Sequence, residues 1–284
     1  MALKITQREF NQLRDFIEQN CGIMLGDEKA YLVETRLMSL ARENKCSSFG
    51  ELYEKLCSAS KLSTIFGSMV DAITTNETLW FRDTHPYEIM IERMFSEYQK
   101  EIEEGRRSQI KIWSAACSTG QEPYSIAMKI LDYIEQSKSD ALLSNRIKII
   151  ATDISPSALL RAREGKYTST AMGRGLPVNY LKKYFRKENN DWIISDQVKG
   201  LVEFRQLNLK DAAYGSFGPF DIVFLRNVII YFSDVFKAAL LDRITRYMSP
   251  EGYMFLGAGE TVSGYGNRFE ILNHKGSLFY RVIR

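Results

Sequence analysis

Over residues 1–73 apolar side chains recur at helical spacing. Phe10, Leu13, Phe16 and Ile17 mark a first helix, with Thr6 as its N-cap and Glu9 three residues on completing a capping box. Leu32, Leu37, Leu40 and Ala41 set a second helix over 29–43, and Phe49, Leu52, Tyr53 and Leu56 a third that begins near Ser48. A fourth is expected over about 60–73, and this part of the chain carries no strand pattern. After Arg107 the rhythm changes to short apolar runs at 110–113, 147–152, 202–206, 220–224 and 253–256, with helical stretches at 122–134, 156–164 and 234–248. Ser155-Pro156 gives the second of these a capping serine and a proline at its first position. Alternating strands and helices predict a mainly parallel, doubly wound sheet. The final runs, 269–273 and 278–283, flank a His274-Lys275-Gly276 turn and add an antiparallel hairpin at one edge.

Between about 165 and 201 the rhythm breaks. A helix-like piece over 180–185 precedes a polar turn at 188–191, and Trp192-Ile193-Ile194 with Val198 suggest short antiparallel strands inserted on the ligand side of the sheet. The chain thus divides into a helical domain (1–73), a linker (74–90) and an α/β domain (91–284) that holds the insertion.

The 284 residues are 45% hydrophobic and 26% charged, ordinary for a globular protein. No apolar run reaches membrane-spanning length, and the first residues lack the apolar core of a secretory signal, so a cytoplasmic location is expected. Cys21, Cys46, Cys57 and Cys117 show no metal-ligand spacing and are expected to be free thiols; no metal is expected. A net charge of +3 is too small to argue for a nucleic-acid partner.

Open α/β sheets bind ligands at the carboxyl ends of their strands. The first strand runs into Ser114-Ala115-Ala116-Cys117-Ser118-Thr119-Gly120, where small side chains allow close approach and Gly120 is free to take a positive φ. That is either a ligand loop or a tight turn. It is not the GxGxxG dinucleotide fingerprint, which argues against a nicotinamide-dependent oxidoreductase. Asp153, ending the second strand, suits ribose hydroxyls or a helix cap. Glu122 suits the helix dipole or a ligand ammonium. Arg226 and Asn227 interrupt an apolar run at the end of the fourth strand and need a partner, either a ligand or a neighbouring acid. Residues 74–83, TTNETLWFRD, place amides, hydroxyls and an arginine beside two aromatics, which fits an interdomain ligand site or a segment that docks the two domains.

Taken together, TTNETLWFR at 74–82, SAACSTGQEPYSIAM at 114–128, ATDIS at 151–155, LNL at 207–209 and FDIVFLRNVIIYF at 220–232 resemble, in order and over nearly the whole chain, the chemotaxis receptor methyltransferases of the CheR family. Leu225, where the family commonly has cysteine, and Trp80, where phenylalanine is usual, are departures that leave the pocket apolar. The resemblance implies an N-terminal all-α domain and a Rossmann-like S-adenosylmethionine domain with a small antiparallel β-subdomain, the linker contributing to the cofactor site. It further implies that Asn76, Thr78, Arg82, Glu122, Asp153, Asn208, Leu209, Arg226 and Asn227 contact the cofactor. Asp153 would take the ribose, Asn208 and Leu209 would lie near the adenine, and Arg82 and Tyr231 would lie nearest the transferring methyl.

The implied reaction is methyl transfer from S-adenosylmethionine to glutamate side chains in the cytoplasmic helical region of chemotaxis receptors. A glutamate with a pKa of about 4.3 is already ionised near neutral pH, so no general base is needed. The scarcity of histidines, His85 and His274 alone, fits that chemistry. Arg82 is expected to position the carboxylate by a charge-assisted hydrogen bond. Lys29, Arg36, Arg42 and Lys45 offer a basic patch for an acidic receptor helix, or an ordinary solvated face. The β-subdomain, in some family members the grip for a C-terminal receptor tether, looks short here, so tether-independent action as a monomer is expected. The alternatives are a non-catalytic module that binds S-adenosylmethionine or S-adenosylhomocysteine, or a methyltransferase with another protein acceptor.

Overall fold

The computed structural model describes residues 3–137 and 144–283. The helical domain comprises α1 (Gln7–Cys21), α2 (Ala30–Glu43), α3 (Phe49–Ser58) and α4 (Thr64–Ile73). Its capping box forms as predicted: the Glu9 amide donates to Thr6 Oγ1 and the Thr6 amide to Glu9 Oε2. Phe10, Leu13 and Ile17 of α1, Val33, Leu37 and Leu40 of α2, and Phe66 and Val70 of α4 share one buried core. On α2 it is Val33 that turns fully inward, with Leu32 only half-buried. The fourth helix starts at Thr64, capped by Ser63, later than the predicted 60.

Residues 74–84 are non-helical, so the linker pattern stops short of the expected 90. A helix that the apolar pattern left unread follows: α5 (His85–Ile89), a π-helical stretch Met90–Phe95, and α6 (Ser96–Glu103). The α/β core then runs β1 (Ile110–Ala115), α7 (Gln121–Ser137), β2 (Ile147–Asp153) and α8 (Pro156–Glu164). The insertion follows as β3 (Lys166–Thr168), α9 (Ser169–Met172), α10 (Val178–Tyr184), β4 (Phe185–Glu188), β5 (Asp191–Ile194) and α11 (Asp196–Lys199). The chain closes with β6 (Val202–Gln206), β7 (Phe220–Leu225), α12 (Asp234–Thr245), β8 (Met248–Leu256) and the hairpin β9 (Phe269–His274) and β10 (Ser277–Val282).

The main sheet has seven strands in the order β6-β2-β1-β7-β8-β10-β9. The first five pair in parallel and the hairpin pairs antiparallel, as predicted. Every residue of β7 is buried, because helices cover both faces of the sheet. Ile222 and Phe224 face the core under α7, while Val223 and Leu225 face the core under α12. The insertion carries its own antiparallel sheet, β3-β5-β4. Val198 does not extend it: Ser195 breaks the strand and Val198 lies buried in α11. The predicted 234–248 helix ends at Thr245, since Met248 opens β8. Among the described residues no helix is long and apolar enough to cross a membrane.

Candidate active site

One pocket opens where the carboxyl ends of β1, β2 and β7 meet the helical domain. Residues 116–118, Asp153 and 207–209 form one side; Glu122, 226–228 and Tyr231 form another. Cys21, Ile23 and 73–79 close it from the helical domain and linker. All ten residues expected from the sequence to form the site line this pocket: Asn76, Thr78, Arg82, Glu122, Asp153, Asn208, Leu209, Arg226, Asn227 and Tyr231.

The seam between the domains is tied on both sides. Asn208 Nδ2 donates to the Asn20 carbonyl at 2.6 Å, Ile23 bridges to Phe232, and the Met24 amide donates to the Tyr231 carbonyl at 2.8 Å. Asp71 of α4 accepts from Ser155 Oγ at 2.6 Å.

The β1 turn uses unusual backbone to reach the pocket. Ala116 and Ser118 lie at φ 57° and 51°, and Gly120 at 94°. Gly120 is required twice over, by its φ and because a Cβ there would stand 3.0 Å from that of Ala162. The Ser118 amide donates to Asp153 Oδ2 at 2.8 Å and the Ser155 amide to Oδ1 at 2.9 Å. Burial nevertheless pushes the Asp153 carboxyl above the usual carboxylate range, with the charge of Asp71 adding to it and the amides opposing. Asp153 thus lines the pocket at the strand end and, as its turn or cap reading had it, anchors two turns.

Arg226 is almost fully buried and largely committed to protein partners. Nη1 donates to Glu122 Oε2 at 2.9 Å; Nη2 donates to Asp83 Oδ2 at 2.7 Å and to the Arg82 carbonyl at 2.6 Å. The neighbouring-acid reading is therefore correct for its terminal nitrogens, while Nε is buried with no hydrogen-bond partner among the described residues. Glu122 also accepts from Ser114 Oγ, yet burial outweighs both partners and its pKa is raised. Asn227 adopts φ 57°.

The linker divides its tasks. Trp80 and Phe81 are buried; Trp80 meets Tyr167 and Phe185 of the insertion edge-on, at 4.9 and 5.3 Å. Gly175 lies so close to Trp80 that a Cβ would stand 2.4 Å from its carbonyl oxygen. These aromatics anchor the linker to the α/β domain and its insertion rather than joining the two domains to each other. Arg82 sits between residues of positive φ (Phe81 47°, Asp83 63°, Thr84 31°), a strained turn of the kind found at functional sites. Its half-buried guanidinium has no acidic partner among the described residues.

Glu260 escaped the sequence reading, and Asp83, read only as part of the 74–83 stretch, is given no partner there. Glu260 accepts from the amides of Asn227 (2.6 Å), Val228 (3.0 Å), Ile230 (3.3 Å) and Gly257 (2.7 Å), so one carboxylate ties the 226–231 loop to the end of β8. The signal was a lone acid in Gly257-Ala258-Gly259-Glu260, just past a strand end.

The basic positions do not form one face. Arg42 and Lys45 are exposed, but Arg36 turns toward the pocket floor and donates to the Ile73 carbonyl and to Thr75 Oγ1. Arg36 is thereby removed from the expected receptor patch, because the carbonyls ending α4 need a donor.

The pocket offers apolar walls, carboxylates at Asp153 and Glu122 and a cation at Arg82. That donor set fits an amphiphilic ligand carrying hydroxyls and both charges, as S-adenosylmethionine does.

Comparison with known proteins agrees. Residues 8–74 match the family model described as CheR methyltransferase, all-alpha domain, and residues 76–277 the model described as CheR methyltransferase, SAM binding domain. Chemotaxis protein methyltransferase 1 of Pseudomonas aeruginosa is 42% identical over 96% of this chain and 97% of its own. Chemotaxis protein methyltransferase Cher2 of Pseudomonas putida is 41% identical over the same shares, and the chemotaxis protein methyltransferase of Vibrio parahaemolyticus 40% identical over 99% of both chains. An interdomain pocket built from the family's motif residues, under two matching domain models, makes this chain a member of the CheR family of S-adenosylmethionine-dependent methyltransferases.

Proposed function

We propose that this enzyme methylates glutamate side-chain carboxylates in the cytoplasmic helical region of chemotaxis receptors, acting in the cytoplasm. The observation that carries the acceptor chemistry is Arg82: a half-buried cation lining the pocket, without an acidic partner among the described residues. Such a group suits an incoming carboxylate. The names of the similar chemotaxis methyltransferases support the receptor as substrate.

S-adenosylmethionine supplies an electrophilic methyl group on a sulfonium. The residues around it hold and orient. Asp153 accepts hydroxyl hydrogens, Glu122, held by Arg226, suits the ammonium of the amino-acid end, and Asn208 and Leu209 lie on the side suited to the base. Asn76 and Thr78 close the linker side, and Asn227 presents its backbone at the β7 end. Arg82 orients the carboxylate while the buried pocket strips its water. Tyr231, at the mouth, limits the direction of approach. No side chain needs to move a proton, because the nucleophile arrives ionised.

The test is transfer of radiolabelled methyl to a receptor cytoplasmic fragment, read as methanol released by mild alkali. Alkali-labile label that disappears when the acceptor glutamates become alanine supports the reading. Intact binding of S-adenosylhomocysteine without transfer to any receptor fragment refutes it and leaves either another protein acceptor or the sensor module.

A further inference from the structure

The charged side chains that line the pocket are Glu77, Glu122 and Asp153 against Arg82 and Arg226. Glu122 and Asp153 are engaged from within. Arg226 holds Glu122, and the amides of Ser118 and Ser155 hold Asp153. Glu77 differs. Its side chain is 68% exposed, and it shares the linker with Arg82, the cation proposed to receive the acceptor carboxylate. Left alone, that charge would stand in the same pocket as Arg82 and oppose an incoming anion.

Glu77 is not left alone. Arg174, 97 residues further along the chain and within the insertion, donates through Nη2 to Glu77 Oε1. The backbone sets up the pair. The Trp80 amide donates to the Arg174 carbonyl at 3.1 Å, and Gly175, at φ 93°, packs on the Trp80 carbonyl. Tyr167 of β3 meets the Trp80 ring and donates through its hydroxyl to the Thr119 carbonyl at 2.8 Å, which ties the insertion to the β1 turn as well. The loop that carries Arg174 is thus fixed against the linker by contacts that do not involve its side chain. With the two side chains 43% and 68% exposed, the ion pair itself adds little to stability. Its effect falls on the charge of the pocket.

We propose that Arg174 is a positioning residue for the acceptor: it neutralises Glu77 and holds it off Arg82, so that Arg82 stays unpaired for the glutamate carboxylate. This rests on the carboxyl-methylation reading above. It gives the inserted subdomain a task in admitting the substrate.

The test is methyl transfer to the receptor fragment by the full-length enzyme at saturating S-adenosylmethionine. Arg174→Ala should lower kcat/KM about fivefold, mainly through KM for the fragment, the scale of one unmasked charge near the surface. Melting temperature and S-adenosylhomocysteine affinity should stay as in wild type, and the ratio to wild type should approach one as salt is raised. Arg174→Lys keeps the charge and should retain most of the activity. In a Glu77→Gln background, Arg174→Ala should cost little further, because the charge it unmasks is gone. Unchanged kcat/KM in Arg174→Ala, an equal loss with and without Glu77, a loss indifferent to salt, or a parallel loss of S-adenosylhomocysteine affinity would each overturn the proposal while leaving carboxyl methylation standing. Failure of the wild-type enzyme to label any receptor fragment would instead remove the reading on which it rests, and the role of Arg174 with it.

Discussion

Arg226 Nη2 donates to the main-chain oxygen of Arg82 at 2.6 Å, so a buried guanidinium fixes the backbone of a second arginine that faces the pocket. The two residues look alike in the sequence, each a cation beside a motif. They differ in what surrounds them. Arg226 is paired with Glu122 and Asp83, whereas Arg82 has no acidic partner among the described residues. The first is scaffold, and the second lines the pocket with its charge unpaired by any described acid.

Replacing Arg226 with methionine should therefore unfold more than it disarms. It leaves Glu122 and Asp83 without their cation, at a cost of about 3–5 kcal/mol of stability. Thermal melting checks this, and a variant as stable as wild type would contradict the network's role.

Arg82→Ala should leave the melting temperature nearly unchanged, because the guanidinium has no hydrogen-bond or acidic partner among the described residues to lose. Transfer to the receptor fragment should fall about a hundredfold, the scale for removing one aimed donor. S-adenosylhomocysteine affinity should change less than kcat/KM does. Arg82→Lys should recover only part of the activity, since it keeps the charge and loses the fork.

Glu260 holds the loop that presents Asn227 and Tyr231. Glu260→Gln replaces a carboxylate that accepts amides on both oxygens with a group that has one acceptor. The expected loss is about 2 kcal/mol of stability together with weaker transfer. Equal activity and stability in the variant would show that the loop holds without this anchor.

Asp153 gives a pH dependence. Burial raises its pKa, so the carboxylate proposed to accept ligand hydroxyls is lost at a higher pH than in a free side chain. S-adenosylhomocysteine affinity should weaken as pH falls through that raised value. Asp153→Asn should bind about tenfold more weakly and show a flatter profile. In the ligand-free protein the sign is reversed. The folded state binds the proton more tightly than the unfolded chain, so this group's contribution to stability declines as pH rises from the unfolded pKa through the native one. Calorimetric titrations across the acidic range check the binding, and thermal melts over the same range the stability.

Much of this was legible in the sequence because the signals were local. Thr6 and Glu9 lie three residues apart and Ser155-Pro156 are adjacent, so their caps could be read directly. The parallel sheet followed from strand–helix alternation, and Asp153, Arg226 and Asn227 from strand ends interrupted by polar residues. What escaped depends on partners distant in the chain. Glu260 acts on amides about thirty positions earlier, and Arg36 faces inward only because α4 ends beneath it. Val198 reads as strand by residue type, but the turn at Ser195 places it in a helix. The choice between ligand and scaffold for Arg226 turned on Asp83, 143 residues away.

The most direct test of the account is to map the methylated side chains by mass spectrometry after the enzyme, S-adenosylmethionine and a receptor cytoplasmic fragment are incubated together. The account predicts methyl groups on glutamate carboxylates of the receptor helices, removed by mild alkali and much reduced with Arg82→Ala. Alkali-stable methylation of another side chain, or no modification of the receptor by an enzyme that binds S-adenosylhomocysteine, would contradict it.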